Sequence, residues 1–324
     1  MGIIHLAPVG RSPGAVTAPL AYLKYLYDEQ TKRGEHLPDS VLPRRLGYPV
    51  EAIVLFVSEE IRRGSRDATA YETKYNQYGS RKVEKEFKGD NHKVVDIIAE
   101  FAQRELSDGK LALYCRVVDD INNFNSCFCS ITETTLALGR PDDLGKTLWA
   151  NLTGGTNVLN AALLEVTFLS GLISSLYYIF VDEHDRCYLQ PLSTEYRRYL
   201  KDHWRSVPIV KTAFDECYRR LLLVLAESQQ EYWDVNKLFA HMRDNFGDLF
   251  GSMTLDLFQK QWLRKMSYEV ELDVEGGRVR LTEAGYEVVA RIETPLFRAL
   301  VRRGEKPDMD IQALRDLLEK DRII

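Results

Sequence analysis

No apolar run in these 324 residues approaches the roughly 20 that a membrane-spanning helix needs. The opening MGIIHLAPVG has neither the basic region nor the cleavage site of a signal peptide. A soluble, cytoplasmic protein with no membrane partner is therefore expected. Cysteine is scarce. Cys115, Cys127, Cys129, Cys187 and Cys217 form no CxxC pair and no Cys/His quartet with zinc spacing, so reduced thiols and no metal site are expected. Neither sign of charge dominates: 43 basic residues face 48 acidic ones, for a net charge of -5. That excludes a global attraction to nucleic acid and leaves room only for a local basic patch.

What is present is ordinary globular material, 45% hydrophobic and 28% charged, enough for two cores without disulfides or metal. The length favours two domains, which the pattern places at 1–193 and 194–324. In the first, strand and helix patterns alternate. Strands are expected at 3–9, 50–57, 111–118, 148–152, 173–181 and 187–192, and helices at 14–32, 92–106, 123–138 and 157–169. Residues 59–91 read as a charged, partly helical insertion. The alternation argues for a mostly parallel sheet covered by helices, an α/β fold. The loops after its strands would gather along one edge.

Two of those loops carry small residues between a strand and a helix. The first is Pro8-Val9-Gly10-Arg11-Ser12-Pro13-Gly14, the second Asn151-Leu152-Thr153-Gly154-Gly155-Thr156-Asn157. Such loops leave backbone N–H groups at the positive end of a helix dipole. Ser12 adds a hydroxyl and Arg11 a fork of donors suited to phosphate. The glycines would let a ligand approach the backbone closely. Each loop alone also reads as a tight strand-to-helix turn. Neither matches the dinucleotide GxGxxG or the P-loop. Asp119-Asp120 after the third strand read as capping carboxylates or as a metal site, and Asn122, Asn123 and Asn125 as contacts to a base or ribose.

The pairing of a first strand ending Pro-Val-Gly-Arg-Ser-Pro-Gly with a late Asn-Leu-Thr-Gly-Gly-Thr resembles the CARF (CRISPR-associated Rossmann fold) family over about residues 1–190. The resemblance implies a Rossmann-like sheet in a homodimer that binds a cyclic oligoadenylate across its two-fold axis. Cyclic tetra-adenylate is the expected ring. A ring of repeated nucleotides has symmetry that an isologous interface can match. The ligand would lie on Gly10, Arg11, Ser12, Pro13, Gly14, Asn122, Thr153, Gly154, Gly155, Thr156 and Asn157, and no cofactor is expected. Many relatives carry lysine directly after Gly-Gly-Thr, where this chain has Asn157. Arg11 is read as restoring that charge from the facing loop, with a solvent-pointing Arg11 as the alternative. The same departure speaks against cleavage of the ligand, for which Ser12 would be the residue at stake.

After residue 194 the pattern predicts helices at 194–204, 208–228, 234–245 and 252–266. A hairpin over 268–281 turns at Glu275-Gly276-Gly277, and a long helix starts at Thr282-Glu283 and ends by Gly304 and Pro307. This is the order of a winged helix-turn-helix. Double-stranded DNA would meet Lys260, Arg264 and Lys265 on the recognition helix and Arg278 and Arg280 on the wing. Acids slightly outnumber bases over 206–324, so dimerisation or protein docking is the other reading. A messenger-gated transcription regulator is the expected function. Two rivals stand beside it. One is a ring nuclease that degrades the messenger. The other is a ribonuclease: the Arg198-to-His203 spacing resembles the mark of HEPN enzymes, which implies that the pair would deprotonate a ribose hydroxyl, with plain surface of a linker helix as the alternative.

Overall fold

Apolar residues on both faces of Gly2–Pro8 (β1) and Val50–Val57 (β2) require a sheet covered on both sides, and that is what forms. The computed structural model describes residues 2–10, 12–33, 50–64, 93–106, 111–139, 146–179, 194–207, 216–228, 231–263, 266, 269–273, 277–301 and 310–324. Contacts divide the chain into two units. Residues 1–212 and 303–324 form the first, and residues 213–302 the second.

In the first unit β1 leads through Gly14–Arg33 (α1) to β2 and through Glu59–Arg63 (α2) and Val94–Phe101 (α3) to Ala112–Val117 (β3). The chain then crosses through Phe124–Leu138 (α4) to Lys146–Asn151 (β4), and through Asn157–Ser170 (α5) to Ile173–Ile179 (β5). Thr194–His203 (α6) delivers a short closing strand, Trp204–Ser206 (β6). The strand order is β3-β2-β1-β4-β5-β6, parallel throughout except for β6. The α/β class and the mostly parallel sheet follow the expectation. The expected strand at 187–192 lies outside the described residues.

One face of the sheet buries Ala7, Val9, Ile53, Leu55, Val57 and Leu113 under Val16 and Leu20 of α1 and Ile98 and Phe101 of α3. The same face buries Trp149 and Tyr177 under Tyr22 of α1 and Leu200 of α6, and Tyr177 stacks on Trp204 at 3.9 Å between ring centres. Each such Val, Leu, Ile or Phe side chain contributes about 1.5–3 kcal/mol by leaving water. Within this face His5 Nε2 and the Tyr177 hydroxyl hydrogen-bond, both fully buried. Burial alone lowers the His5 pKa to about 3, so the ring is neutral. The opposite face carries α4, α5 and the last helix, Ile311–Lys320. Gly145-Lys146-Thr147 has P-loop lettering, yet Lys146 and Thr147 open a strand rather than a helix.

The second unit runs Glu216–Glu227 (α7), Trp233–Asp234 (β7), Val235–Asn245 (α8), Gly247–Phe250 (α9), Leu255–Phe258 (α10), Val270–Asp273 (β8), Arg278–Leu281 (β9), Glu283–Ile292 (α11) and Pro295–Val301 (α12). The last helix of the first unit, Ile311–Lys320, is accordingly α13. The three strands form an antiparallel sheet in the order β7-β9-β8. Two helix expectations are corrected. The helix expected at 252–266 starts later, at Leu255, because Thr254 caps it by accepting from Leu257 N, and it continues as a π turn at Gln259–Leu263. The long last helix breaks at Thr294, whose hydroxyl accepts from Phe297 N, while Pro295 occupies the first position of α12. Among the described residues no helix is long and apolar enough to cross a membrane.

Candidate functional site

The order of strands reverses between β1 and β4, which are neighbours although their chain connections run to opposite sides of the sheet. In open α/β sheets the crevice outside the carboxyl ends of such strands is where ligands bind. Both small-residue loops lie there, at the N-termini of α1 and α5. A β-carbon placed on Gly10 would be 3.5 Å from the amide nitrogen of Gly155, so the loops meet backbone to backbone.

A buried asparagine ties them together. Pro19 sits inside α1 and has no N–H to return to the carbonyl of Ala15, four residues earlier. Asn151, fully buried at the end of β4, takes that carbonyl by donating from Nδ2 at 2.9 Å. Its Oδ1 accepts from Thr153 N at 2.9 Å. The gap left by the proline therefore holds the second loop against the first helix. The Thr153 hydroxyl accepts from Ile179 N on β5. Thr156 caps α5 by accepting from Leu159 N, and its hydroxyl also donates to Ile121 O at 3.4 Å. Both threonine side chains are thus engaged within the fold, and backbone is what this part of the crevice presents.

The glycines differ in what they do. Gly155 has φ +81, and a β-carbon there would lie 2.4 Å from Pro8 Cβ. On Gly154 it would lie 2.7 Å from Pro8 O. These two are required by the packing of the second loop on the end of β1, not only by the approach of a ligand as the sequence suggested. Gly10 meets only ordinary van der Waals distances.

A third loop, residues 118–123, joins β3 to α4 and reaches this region through the Thr156–Ile121 bond. Asp120 closes a turn by accepting from Asn122 N at 2.9 Å, and Asn123 caps α4 by accepting from Ser126 N. Asp120 thus holds the turn, and the cap of α4 is Asn123 rather than either carboxylate. Asp119, Asp120 and Asn122 are exposed. Cys127 donates to Ile121 O, and burial, with Asp120 adding to it, pushes its thiol up to about 11. It is therefore no nucleophile at neutral pH.

Of the expected ligand residues, Ser12 is half-buried and partnered, Pro13 and Gly14 are buried, and Asn157 is exposed in the first turn of α5. Arg11 lies outside the described residues, as do Arg264 and Lys265. In the second unit Lys260 pairs with Asp256 at 2.9 Å. Arg280 donates to Glu271 at 2.7 Å and lies 4.7 Å from the centre of the Tyr232 ring. Arg278 is exposed. Arg198, exposed, and His203, half-buried and partnered, lie on α6 of the sheet unit. Sequence reasoning quoted Asn151 but gave it no role; the signal was Pro19 inside a helical pattern, which leaves a carbonyl for something to satisfy.

No family model matches the chain. An uncharacterised protein of Archaeoglobus fulgidus is 28% identical over 211 residues, covering 59% of this chain. The chain spans about 60% of that protein's length. Among solved structures, Enterococcus italicus Csm6 bound to cyclic hexa-2'-fluoro-hexa-dAMP overlaps 83% of this chain and 54% of that one, at 12% identity and a TM-score of 0.35. So loose an overlap does not assign the fold, which rests on the strand order.

Proposed function

We propose that this protein is a CRISPR-associated sensor of a cyclic oligoadenylate, bound in the crevice at the ends of β1 and β4. The observation that carries this reading is the meeting of Gly10 and Gly155 at the switch point, with two helix N-termini at hand. The motif likeness to CARF proteins supplies the ligand class. A two-fold dimer completes the site in this reading, with Gly10 through Gly14, Asn122 and Thr153 through Asn157 facing the ring. Arg11 supplies the charge that Asn157 lacks.

The output we assign is gated DNA binding by the second unit, read as a winged helix. Its helices, β8–β9 hairpin and following helix support that reading, and Lys260, Arg264, Lys265, Arg278 and Arg280 are the cations it would use. The ion pairs of Lys260 and Arg280 count against DNA contact by those two cations, and the second output is consumption of the messenger without DNA. One experiment separates the two: incubation with cyclic tri-, tetra- and hexa-adenylate, then chromatography of bound and cleaved species. Intact ring retained on the protein supports the sensor. Linear products support a ring nuclease, and no binding of any ring rejects both.

A further inference from the structure

We propose that Tyr178 and Arg205 form a subsite for one adenylate of the ring, an aromatic platform for the base beside a cation for the phosphate. For the ring this rests on the sensor reading above; for the adenylate it does not. Neither residue belongs to the two glycine loops, which contain no aromatic side chain on which a base could stack.

Among the described residues of the five parallel strands, only β5 carries exposed positions, Ser174 and Tyr178. Side chains alternate along a strand, and Tyr177 and Ile179 are packed in the core with α1 and α6. Tyr178 therefore projects from the opposite face, and it stays 38% exposed there. A single exposed tyrosine carries little by itself. Its position carries more. It is next to last on β5, at the carboxyl edge where the crevice opens. The second loop is fastened on either side of it: Leu152 N donates to Tyr177 O at 2.8 Å, and Ile179 N to the Thr153 hydroxyl at 2.9 Å. Tyr178 is thus one strand spacing, about 5 Å, from the start of that loop. On its other side β6 sets Arg205 directly opposite Tyr178. Opposed residues of antiparallel strands share a face, so cation and ring stand side by side. Arg205 is exposed as well. Its Nη1 donates to Asp202 O at 2.6 Å and to Trp204 O at 3.0 Å. Both acceptors are neutral carbonyls, so these bonds fix the guanidinium without cancelling its charge. Unpaired bases stack on aromatic faces, and guanidinium groups hold phosphate.

The test is equilibrium binding of cyclic tri-, tetra- and hexa-adenylate, and separately of adenosine monophosphate, to the full chain. Tyr178→Leu keeps an apolar side chain and removes the π face. It should weaken binding of the preferred ring by about 10-fold, and Tyr178→Phe by distinctly less. Arg205→Gln should weaken it several-fold and lower the slope of log affinity against log salt by roughly 0.7. Tyr178→Leu should leave that slope unchanged, which separates stacking from charge. Both positions are exposed, so thermal midpoints within about 2 °C of the wild type are expected and exclude unfolding as the cause. Ring affinity of Tyr178→Leu within about 2-fold of the wild type overturns the subsite and leaves the sensor reading intact. If no ring binds the wild type, the sensor reading fails, and adenosine monophosphate decides the subsite alone. Weak binding that Tyr178→Leu and Arg205→Gln each reduce sustains it. No binding, or binding that either variant leaves unchanged, overturns it.

Discussion

The crevice loops of the sheet unit and the β8–β9 hairpin of the second unit were both singled out as binding surfaces, and the fold treats them in opposite ways. At the crevice, side chains are consumed in holding backbone in place: Asn151 on Ala15 O, Thr153 on Ile179 N, Thr156 on Ile121 O. What is left outward includes the N-terminal end of α5 with the exposed Asn157 in its first turn. On the hairpin the backbone is consumed in the strands, and of the arginines on β9 Arg280 is paired with Glu271 and Glu231 while Arg278 is exposed. A surface that recognises through backbone needs few charges of its own. A surface that grips phosphate through arginine needs those arginines uncommitted. The contrast makes the crevice the stronger of the two sites, and it can be broken.

The largest effect should come from the glycine whose space is taken. Gly155→Val puts a branched side chain at φ +81 and 2.4 Å from Pro8. Backbone strain and overpacking together should cost about 3 kcal/mol, or roughly 6–12 °C in Tm for a unit of this size. A thermal unfolding midpoint within about 2 °C of the wild type would show that the loops are not locked together. Gly10→Ala is the matched control. It should fold normally, so any loss of cyclic oligoadenylate binding reports on the ligand's own approach.

Next in size is Asn151→Leu, which leaves the part-buried Ala15 O and Thr153 N without their partner, at about 2–3 kcal/mol in all. The explanation through Pro19 makes a sharper demand. In a Pro19→Ala background the restored N–H can serve Ala15 O, so the same Asn151→Leu change should cost at least about 1 kcal/mol less. Strict additivity in the double-mutant cycle would separate the proline from the asparagine.

These two cases show what the chain made legible. The strand–helix alternation and the two glycine loops are local patterns, and they gave the sheet and the crevice. The bond from Asn151 to Ala15 spans 136 positions, and only the unexplained proline hinted at it. The return of residues 310–324 to β3 left no trace in local periodicity, since an amphipathic helix reads the same whichever unit it covers. The break at Thr294-Pro295 was readable, as a capping threonine before a proline, but the apolar period running through it masked the stop. Ion pairs such as Arg280 with Glu271 depend on strand register, which composition does not reveal.

A third, smaller effect concerns pH. His5 is neutral in the fold, with its pKa lowered from 6.5 to about 3 by burial. The unfolded chain therefore binds a proton that the folded chain does not between those values. Stability from this group is complete above pH 6.5 and falls as pH drops toward 3, by at most about 1.4 kcal/mol per pH unit. Denaturant melts at pH 7 and pH 5 should differ by less in His5→Phe than in the wild type. An unchanged difference would place the acid sensitivity elsewhere.

The smallest effect bears directly on the hairpin. Glu271 accepts from Arg280 across the paired strands β8 and β9, and both side chains are exposed, so Glu271→Gln should leave folding almost untouched. If the hairpin touches DNA phosphate, the variant releases Arg280 from the nearer of its two carboxylates, with Glu231 still at 3.8 Å. Affinity for double-stranded DNA should then rise several-fold at low salt, and the slope of log affinity against log salt should steepen by roughly one unit. Arg280→Ala should take both changes away. Arg278→Ala, beside it on β9, should weaken binding in either background. A protein that binds DNA no better after Glu271→Gln, and no worse after Arg278→Ala, does not read DNA with this hairpin. The second unit would then be a docking or dimerisation module, and the crevice would keep its ligand without a nucleic-acid output.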